Sequence, residues 1–421
     1  MAMSRRRFLE IGALAGAGAV AAVAGEMVAQ PGAGAAGALA GAYPDGAERI
    51  SAEQAELASL EGPHQLAILS EPTPATAFVS FDVVAETPSE LQELLCIISA
   101  RMRLLYAGGL PENLGPAAPP DDNGILGPVI PSRQVAFLFG VGASLFDGRY
   151  GLGRKRPARL TAMDTFPNDD LQPAQCDGDL SLQICAADAD TVVHALRDIT
   201  KHTRGGMQPR WRIDGFRSPP RPSGTPRNLL GFMDGIANPD TAESAQMQEL
   251  VFVQKGAPEP AWTEGGTYQV VRIIRMLVEF WDRVSVYEQE NMIGRRRVSG
   301  APLDADTEFA TPDYGKDPQG LVIPLTAHIR LANPRTPKTE KNRILRRGYN
   351  YDRGIDVNRN LDMGLLFTCY QQDIQRQFVV NQTRLINEPL VDYISPIGGG
   401  YFFCPPGLNG RTDYFGSGLF A

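Results

Sequence analysis

The chain has 421 residues, 43% hydrophobic and 21% charged, a balance that can supply two cores of ordinary domain size. A net charge of -8 and a pI near 5.2 argue against nucleic acid as a partner, because neutralising phosphates needs a basic face. The five cysteines are odd in number and lack C-x-x-C spacing, which points away from a zinc site or a disulfide framework. Cys96, Cys369 and Cys404 lie in apolar runs and read as small core residues.

The first residues differ in kind from the rest. Ser4-Arg5-Arg6-Arg7-Phe8-Leu9-Glu10 precedes a mild Ala/Gly/Val run over 11–24, which resembles a twin-arginine export signal and is too Gly-rich to span a membrane stably. Cleavage could follow Ala22-Val23-Ala24, Ala33-Gly34-Ala35 or Ala40-Gly41-Ala42, so the segment 1–42 is set aside. That route carries folded proteins, often with a cofactor already loaded, and implies a periplasmic or extracellular destination.

Beyond it, a strand is expected over 78–84, then a helix from 89 to about 106 with Ser89 as its cap. After a long Pro/Gly loop come strands at 134–139 and 180–185, a helix from 189 to about 204 stopped by Gly205-Gly206, and a strand at 209–216. This is the ferredoxin-like order within 43–216. The segment 217–266 is a long connection, and such loops are usually functional or disordered. The order then repeats in 267–421: strand 268–278, helix 279–292, strand 321–325, strand 364–370, helix 373–385 and a last strand at 401–403. The expected fold is therefore α+β, two duplicated ferredoxin-like modules of antiparallel sheet and helices. Gly398-Gly399-Gly400 reads as a tight turn leading into the last strand rather than a phosphate cradle.

The connection contains Gly231-Phe232-Met233-Asp234-Gly235-Ile236-Ala237-Asn238-Pro239, a carboxylate held between glycines in an apolar stretch and closed by a helix-blocking Asn-Pro. Asp234 so placed is a candidate proton shuttle. Of the four histidines, His194 falls opposite the apolar stripe of its helix and reads as solvated, His202 suits a helix C-terminus, and His64 lies in a loop. His328 remains, after an apolar run and before Asn333-Pro334-Arg335, though taken alone it reads as a core or loop residue. Arg346-Arg347 follows an apolar pair and reads equally as a surface ion-pair cluster. A lone histidine, a glycine-framed aspartate and an arginine together suit an axial ligand to iron, a proton carrier and a fixed positive charge.

These motifs are similar to those of DyP-type haem peroxidases, specifically the twin-arginine-exported peroxidase/deferrochelatase subfamily. The likeness rests on Gly231-Phe232-Met233-Asp234-Gly235, on His328-Ile329-Arg330-Leu331-Ala332-Asn333-Pro334-Arg335, on Ile344-Leu345-Arg346-Arg347-Gly348-Tyr349 and on 396–403, and covers most of 43–421. It implies one non-covalent haem b per chain in the C-terminal half; no C-x-x-C-H attachment motif is present. It implies His328 as iron ligand, Asp234 as acid-base residue and Arg346 as its electrostatic partner. Gly235, Ile236, Ala237, Asn333, Pro334 and Arg335 would line the haem, with Arg335 and Arg330 near the propionates, since arginine forks suit carboxylates. Asp392 matches the acid beside the proximal imidazole, with Glu388 competing for that place.

The implied activity is reduction of hydrogen peroxide through a ferryl state, with oxidation of dyes, phenols or other one-electron donors. An aspartate in place of a distal histidine would let activity persist at acidic pH. Trp211, Trp262 and Trp281, with nearby tyrosines, are candidate relays for bulky donors, though each is more often a packing residue. The alternatives are a deferrochelatase that removes iron and leaves the porphyrin intact, or a haem carrier without turnover. Partners would be peroxide, a reducing co-substrate and the twin-arginine export machinery, with a homo-oligomer left open.

Overall fold

The computed structural model describes residues 60–421, so the arginine-led segment and its three cleavage candidates lie outside the described residues. The first module runs β1 (Ala75–Val83), α1 (Pro88–Ala107), β2 (Val135–Gly142), β3 (Leu180–Ala186), α2 (Ala189–His202) and β4 (Met207–Phe216). A connection carrying α3 (Ser244–Leu250) leads to β5 (Thr267–Met276), α4 (Val278–Trp281), α5 (Val286–Ile293) and α6 (His328–Ala332). Then come β6 (Leu345–Arg346), β7 (Tyr349–Ile355), β8 (Leu361–Gln371), α7 (Val380–Leu385) and β9 (Ile394–Cys404).

Every strand pairing is antiparallel, and the order β4-β1-β3-β2 in the first module recurs as β7-β8-β5-β9, read from the opposite end, in the second. The duplicated ferredoxin-like pattern is thus present, with its two sheets joined. β2 meets β9 at Val141 and Gly142, and β4 meets β7 at Phe216, so eight strands close into a ring, with β6 pairing β8 beyond the end of β7. Both closing contacts are short, one residue pair at β4–β7 and two at β2–β9.

Alternation along each strand sends one side chain set into the ring and the other against the helices. Phe78, Trp211, Tyr349, Tyr351 and Phe402 fill part of the interior. Beside them Gln269 Nε2 donates to Gln183 Oε1 at 3.0 Å, and Tyr370 OH donates to the same oxygen at 3.1 Å, so the buried amides are partnered. The outward set, including Val79, Phe81, Phe137 and Leu182, packs under α1 and α2 with Leu91, Ile98, Val192 and Ile199. Arg101 of α1 grips Asp198 of α2 through two hydrogen bonds of 2.7 and 2.5 Å.

Several local expectations are corrected. Helix α1 is capped by Thr87, whose Oγ1 accepts from Glu90 N, because Pro88 occupies the first helical position rather than Ser89 starting it. The helix expected over 279–292 is split into α4 and α5; Ser285 restarts it with a capping box to Glu288. Residues 321–325 are not a strand, since the Asp317 carboxylate takes the N–H groups of Leu321, Val322 and Ile323 and Leu321 is 86% exposed. The second module's second strand is β7 instead. The last helix opens with a π-helical stretch, Gln375–Val379, before α7. Cys96 is exposed, while Cys369 and Cys404 are buried. His194 is 1% exposed, because residues of the 108–133 loop fold over it and Asp122 Oδ1 meets its Nε2 at 2.5 Å.

The glycine triplet is not a turn but part of β9. Gly399 has φ +129°, and a Cβ there would lie 2.0 Å from Val271 O of the neighbouring strand. On its other side the carbonyl of Gly399 accepts from Asp177 N at 2.7 Å, so a connection from the first module crosses β9 at close range. Gly399→Ala should therefore destabilise the protein by about 3 kcal/mol or more, from backbone strain plus overpacking, read as a lower denaturant midpoint.

Candidate active site

A cavity of about 250 Å³ lies between the second module's sheet and the segments that cover it. Its floor is Arg272, Ile274 and Met276 of β5, Leu365 and Phe367 of β8, and Pro396 of β9. Its walls are the 228–237 loop, α6 and the segment following it, and Phe378 and Leu385 of the last helix. Most of the lining is apolar; the polar groups converge in three places.

In the first, Asp234 faces Arg346. Arg346 Nη1 donates to Asp234 Oδ1 at 2.9 Å, with the two side chains 27% and 29% exposed, and no hydrogen bond engages Oδ2 among the described residues. The loop that presents Asp234 is held from within. Asn228 Oδ1 accepts from Leu230 N and Phe232 N, Arg227 donates to Gly231 O, and Asp234 N donates to Pro226 O. Gly231 and Gly235 take φ +83° and +115°, angles a side chain would resist. Phe232 is buried against Trp281, whose indole N–H donates to Leu230 O. Asn238 then ties the loop to β6: its Nδ2 donates to Arg346 O at 2.8 Å and its Oδ1 accepts from Arg346 N at 3.0 Å.

In the second, His328 begins α6, and its Nδ1 lies 2.7 Å from Glu388 Oε2. Glu388 is buried, whereas 29% of the imidazole is accessible, and the ring lines the cavity. Burial opposes protonation of the ring, but the charge and hydrogen bond of Glu388 outweigh it and hold His328 above its ordinary range. A carboxylate on Nδ1 leaves Nε2 for a ligand. The acid beside His328 is thus Glu388. Asp392, at the end of the Pro389–Asp392 turn, is exposed, four residues on and past Pro389.

The third is a pair of guanidiniums, Arg295 and Arg335, with no ion pair among the described residues. Arg335 has φ +55° and its Nε is buried without a partner. Burial, reinforced by the Arg335 charge, pulls Arg295 down to about 10. A buried and a half-buried cation without counter-ions suit a ligand that brings carboxylates of its own.

Of the residues singled out from sequence, Asp234, Gly235, Ile236, Ala237, His328, Asn333, Arg335 and Arg346 line this one cavity. Pro334 is not among its lining, and Arg330 is turned away from it. Arg330 donates to Ile323 O and Asp317 O, pairs with the Asp317 carboxylate at 3.3 Å and stacks over Tyr314. Its work is to pin the 317–323 loop under the helix that carries His328. Trp211 and Trp281 are buried in packing, 6% and 1% exposed, and Trp262 donates to Lys155 O. Sequence reasoning did not single out Arg295 or Asn238; the Arg295-Arg296-Arg297 run and the Asn-Pro ending the glycine loop were the available signals.

Residues 65–217 match the family model Dyp-type peroxidase, N-terminal, and residues 225–409 match Dyp-type peroxidase, C-terminal. The chain belongs to the DyP-type peroxidase family. It is 49% identical over 363 residues to the deferrochelatase of Escherichia coli (strain K12), covering 85% of this chain and 86% of that protein. Among solved structures, ferric DtpA from Streptomyces lividans superposes with a TM-score of 0.77 at 34% identity, covering 87% of this chain and 99% of that one. A DyP-type peroxidase from Cellulomonas bogoriensis gives 0.75 at 34% identity, covering 86% and 97%. Membership of a DyP family whose modules span both halves fits the ring of two sheets described above.

The Asp317 anchor gives a pH prediction. Its three backbone N–H bonds, first among them that from Ile323, hold the carboxyl below its ordinary range despite the opposing effect of burial. A depressed folded pKa stabilises above the unfolded value near 3.9, and that stabilisation is lost as pH falls through the folded value. Asp317→Asn should melt at lower temperature than the wild type at pH 7, with the two curves converging as pH drops below about 3.5.

Proposed function

We propose that the cavity is the haem site of a peroxidase in which Asp234 moves the proton and Arg346 balances the charge. The observation that carries this reading is one cavity lined together by His328 on Glu388, by Asp234 on Arg346, and by Arg295 and Arg335, which have no ion pair among the described residues. Haem b fits that set: apolar walls for a macrocycle, one imidazole nitrogen left free, and Arg335 with Arg295 for two propionates. Haem, when bound, supplies the redox chemistry that reduces hydrogen peroxide and oxidises donors one electron at a time.

His328 would ligate through Nε2, while Glu388 accepts the Nδ1 proton, fixes the tautomer and makes the ring a stronger donor. Asp234 Oδ2, the oxygen that Arg346 leaves free, would take the proton from one peroxide oxygen and hand it to the other. The Arg346 guanidinium would steady Asp234 as a base and stabilise negative charge on the departing oxygen. Apolar Leu365 and Phe367 would keep bulk water from competing for that proton. The binding reading without turnover is disfavoured, since a carrier has no use for the Asp234–Arg346 pair.

A second reading is removal of iron from haem with the porphyrin intact, favoured by the name of the relative at 49% identity. Export by the twin-arginine route to the periplasm or beyond is also part of the proposal, supported by Arg5-Arg6 and the weakly apolar run behind them.

Asp234→Asn should slow the peroxide-driven change in haem absorbance by about 100-fold or more in stopped flow, with haem content unaltered. An unchanged rate refutes the proton-shuttle role. His328→Ala should lose the wild-type Soret band and most bound haem; retention of both refutes the ligand. For the second reading, incubation with haem and a reductant should release free porphyrin, seen by its fluorescence, and a haem signal that stays intact under all reducing conditions counts against it.

A further inference from the structure

A second cavity, of about 450 Å³, abuts the first, and Asp234, Gly235 and Arg346 line both. Four arginines line it, Arg217, Arg227, Arg346 and Arg347, against two acids, Asp234 and Glu71. Two of the four are engaged. Arg227 donates to the carbonyls of Gly231, Arg297 and Val298, and Arg346 holds Asp234.

The other two are held loosely or not at all. The Arg217 guanidinium has no hydrogen bond or ion pair among the described residues. Arg347 reaches only the carbonyls of Ile68 and Leu69, at 3.4 and 3.3 Å, the weak end of the hydrogen-bond range. Burial lowers the Arg347 guanidinium, Tyr370 and the exposed Glu71 oppose that, and the nearby Arg217 adds a smaller lowering effect. Four arginines against two carboxylates leave the cleft net positive, which raises the local concentration of anions. The wall also carries Phe309, an aromatic ring left 69% exposed, and the flat face of Pro72. A cavity of this size takes a small organic molecule with room to spare.

We infer that this antechamber binds the reducing co-substrate and selects small phenolic carboxylates, the carboxylate on Arg217 and Arg347 and the ring toward Phe309. The inference rests on the peroxidase reading for its redox step. Each phenol gives up one electron and its hydroxyl proton to become a phenoxyl radical. Two of them supply the two electrons and two protons that turn hydrogen peroxide into two waters. The shared wall at Asp234 places such a donor next to the site where those protons are consumed.

The test uses the haem-loaded enzyme with a matched pair of donors, 4-hydroxycinnamate and its methyl ester, alike in ring and hydroxyl but differing in charge. Arg217→Gln and Arg347→Gln should each lower the acid-over-ester ratio of kcat/KM by about ten-fold, the size of one lost charge-assisted contact. Arg217→Lys should restore most of that ratio. The Soret band of each variant reports that it has folded and loaded, and the two positions serve as independent arms. Calorimetric titration with benzoate, which is not oxidised here, should show binding in the wild type that Arg217→Gln abolishes.

An unchanged acid-over-ester ratio in both variants overturns the inference. So does benzoate binding that is absent from the wild type or survives Arg217→Gln. If no donor supports peroxide turnover while benzoate still binds through Arg217, the anion site stands and the peroxidase reading falls.

Discussion

The double hydrogen bond between Asn238 and the backbone of Arg346 is the constraint on which the site depends. It joins a loop from the connection between modules to the two-residue strand β6 that pairs β8 beyond β7, across 108 residues of chain. The Asp234 loop is braced from within and Arg346 is paired to β8, but this contact is what fixes the one against the other. With it, the carboxylate and guanidinium meet at hydrogen-bond distance. Preorganisation of this kind is what electrostatic catalysis requires, because groups already aimed need no reorganisation when charge develops.

The same economy appears on the opposite wall. His328 stands at the start of a five-residue helix, too short to be stable alone. It is steadied from two sides: Glu388 grips the imidazole, and Arg330 with Asp317 pins the preceding loop. Both walls rest on the sheet of the second module, whose closure with the first through β2–β9 and β4–β7 gives them a common floor. The ring interior, packed with large aromatics and a partnered glutamine-tyrosine network, is the rigid body against which the cavity is shaped.

A cavity walled by apolar side chains and lined by unpaired arginines would be costly to keep for its own sake. A ligand carrying both a large apolar face and two carboxylates removes that cost. The antechamber poses the same electrostatic problem on a smaller scale, and a smaller anion would solve it. The wall between the two spaces carries Asp234 and Arg346 beside Asn228, Gly235 and Leu365, so the ion pair faces both.

Element types and the duplicated order were legible because alternation and 3.6-residue periodicity record which side of each segment is buried. The glycine-framed Asp234, His328 and Arg346 were legible for another reason: motifs of local backbone geometry are written in consecutive residues. What failed depended on parts of the chain far away in sequence. His194 seemed solvated until the 108–133 loop covered it; 321–325 seemed a strand until Asp317 claimed its donors. Gly399 seemed a turn until the strand beside it and the connection crossing it left no room for a side chain. The choice between Glu388 and Asp392 turned on which of them the fold buries against the imidazole. By itself, then, the sequence determined the module pattern and the chemical type of the site. Only tertiary structure decided which acid meets the imidazole, which arginines stay unpaired and how the sheets join, because those outcomes depend on distances between segments that no local pattern encodes.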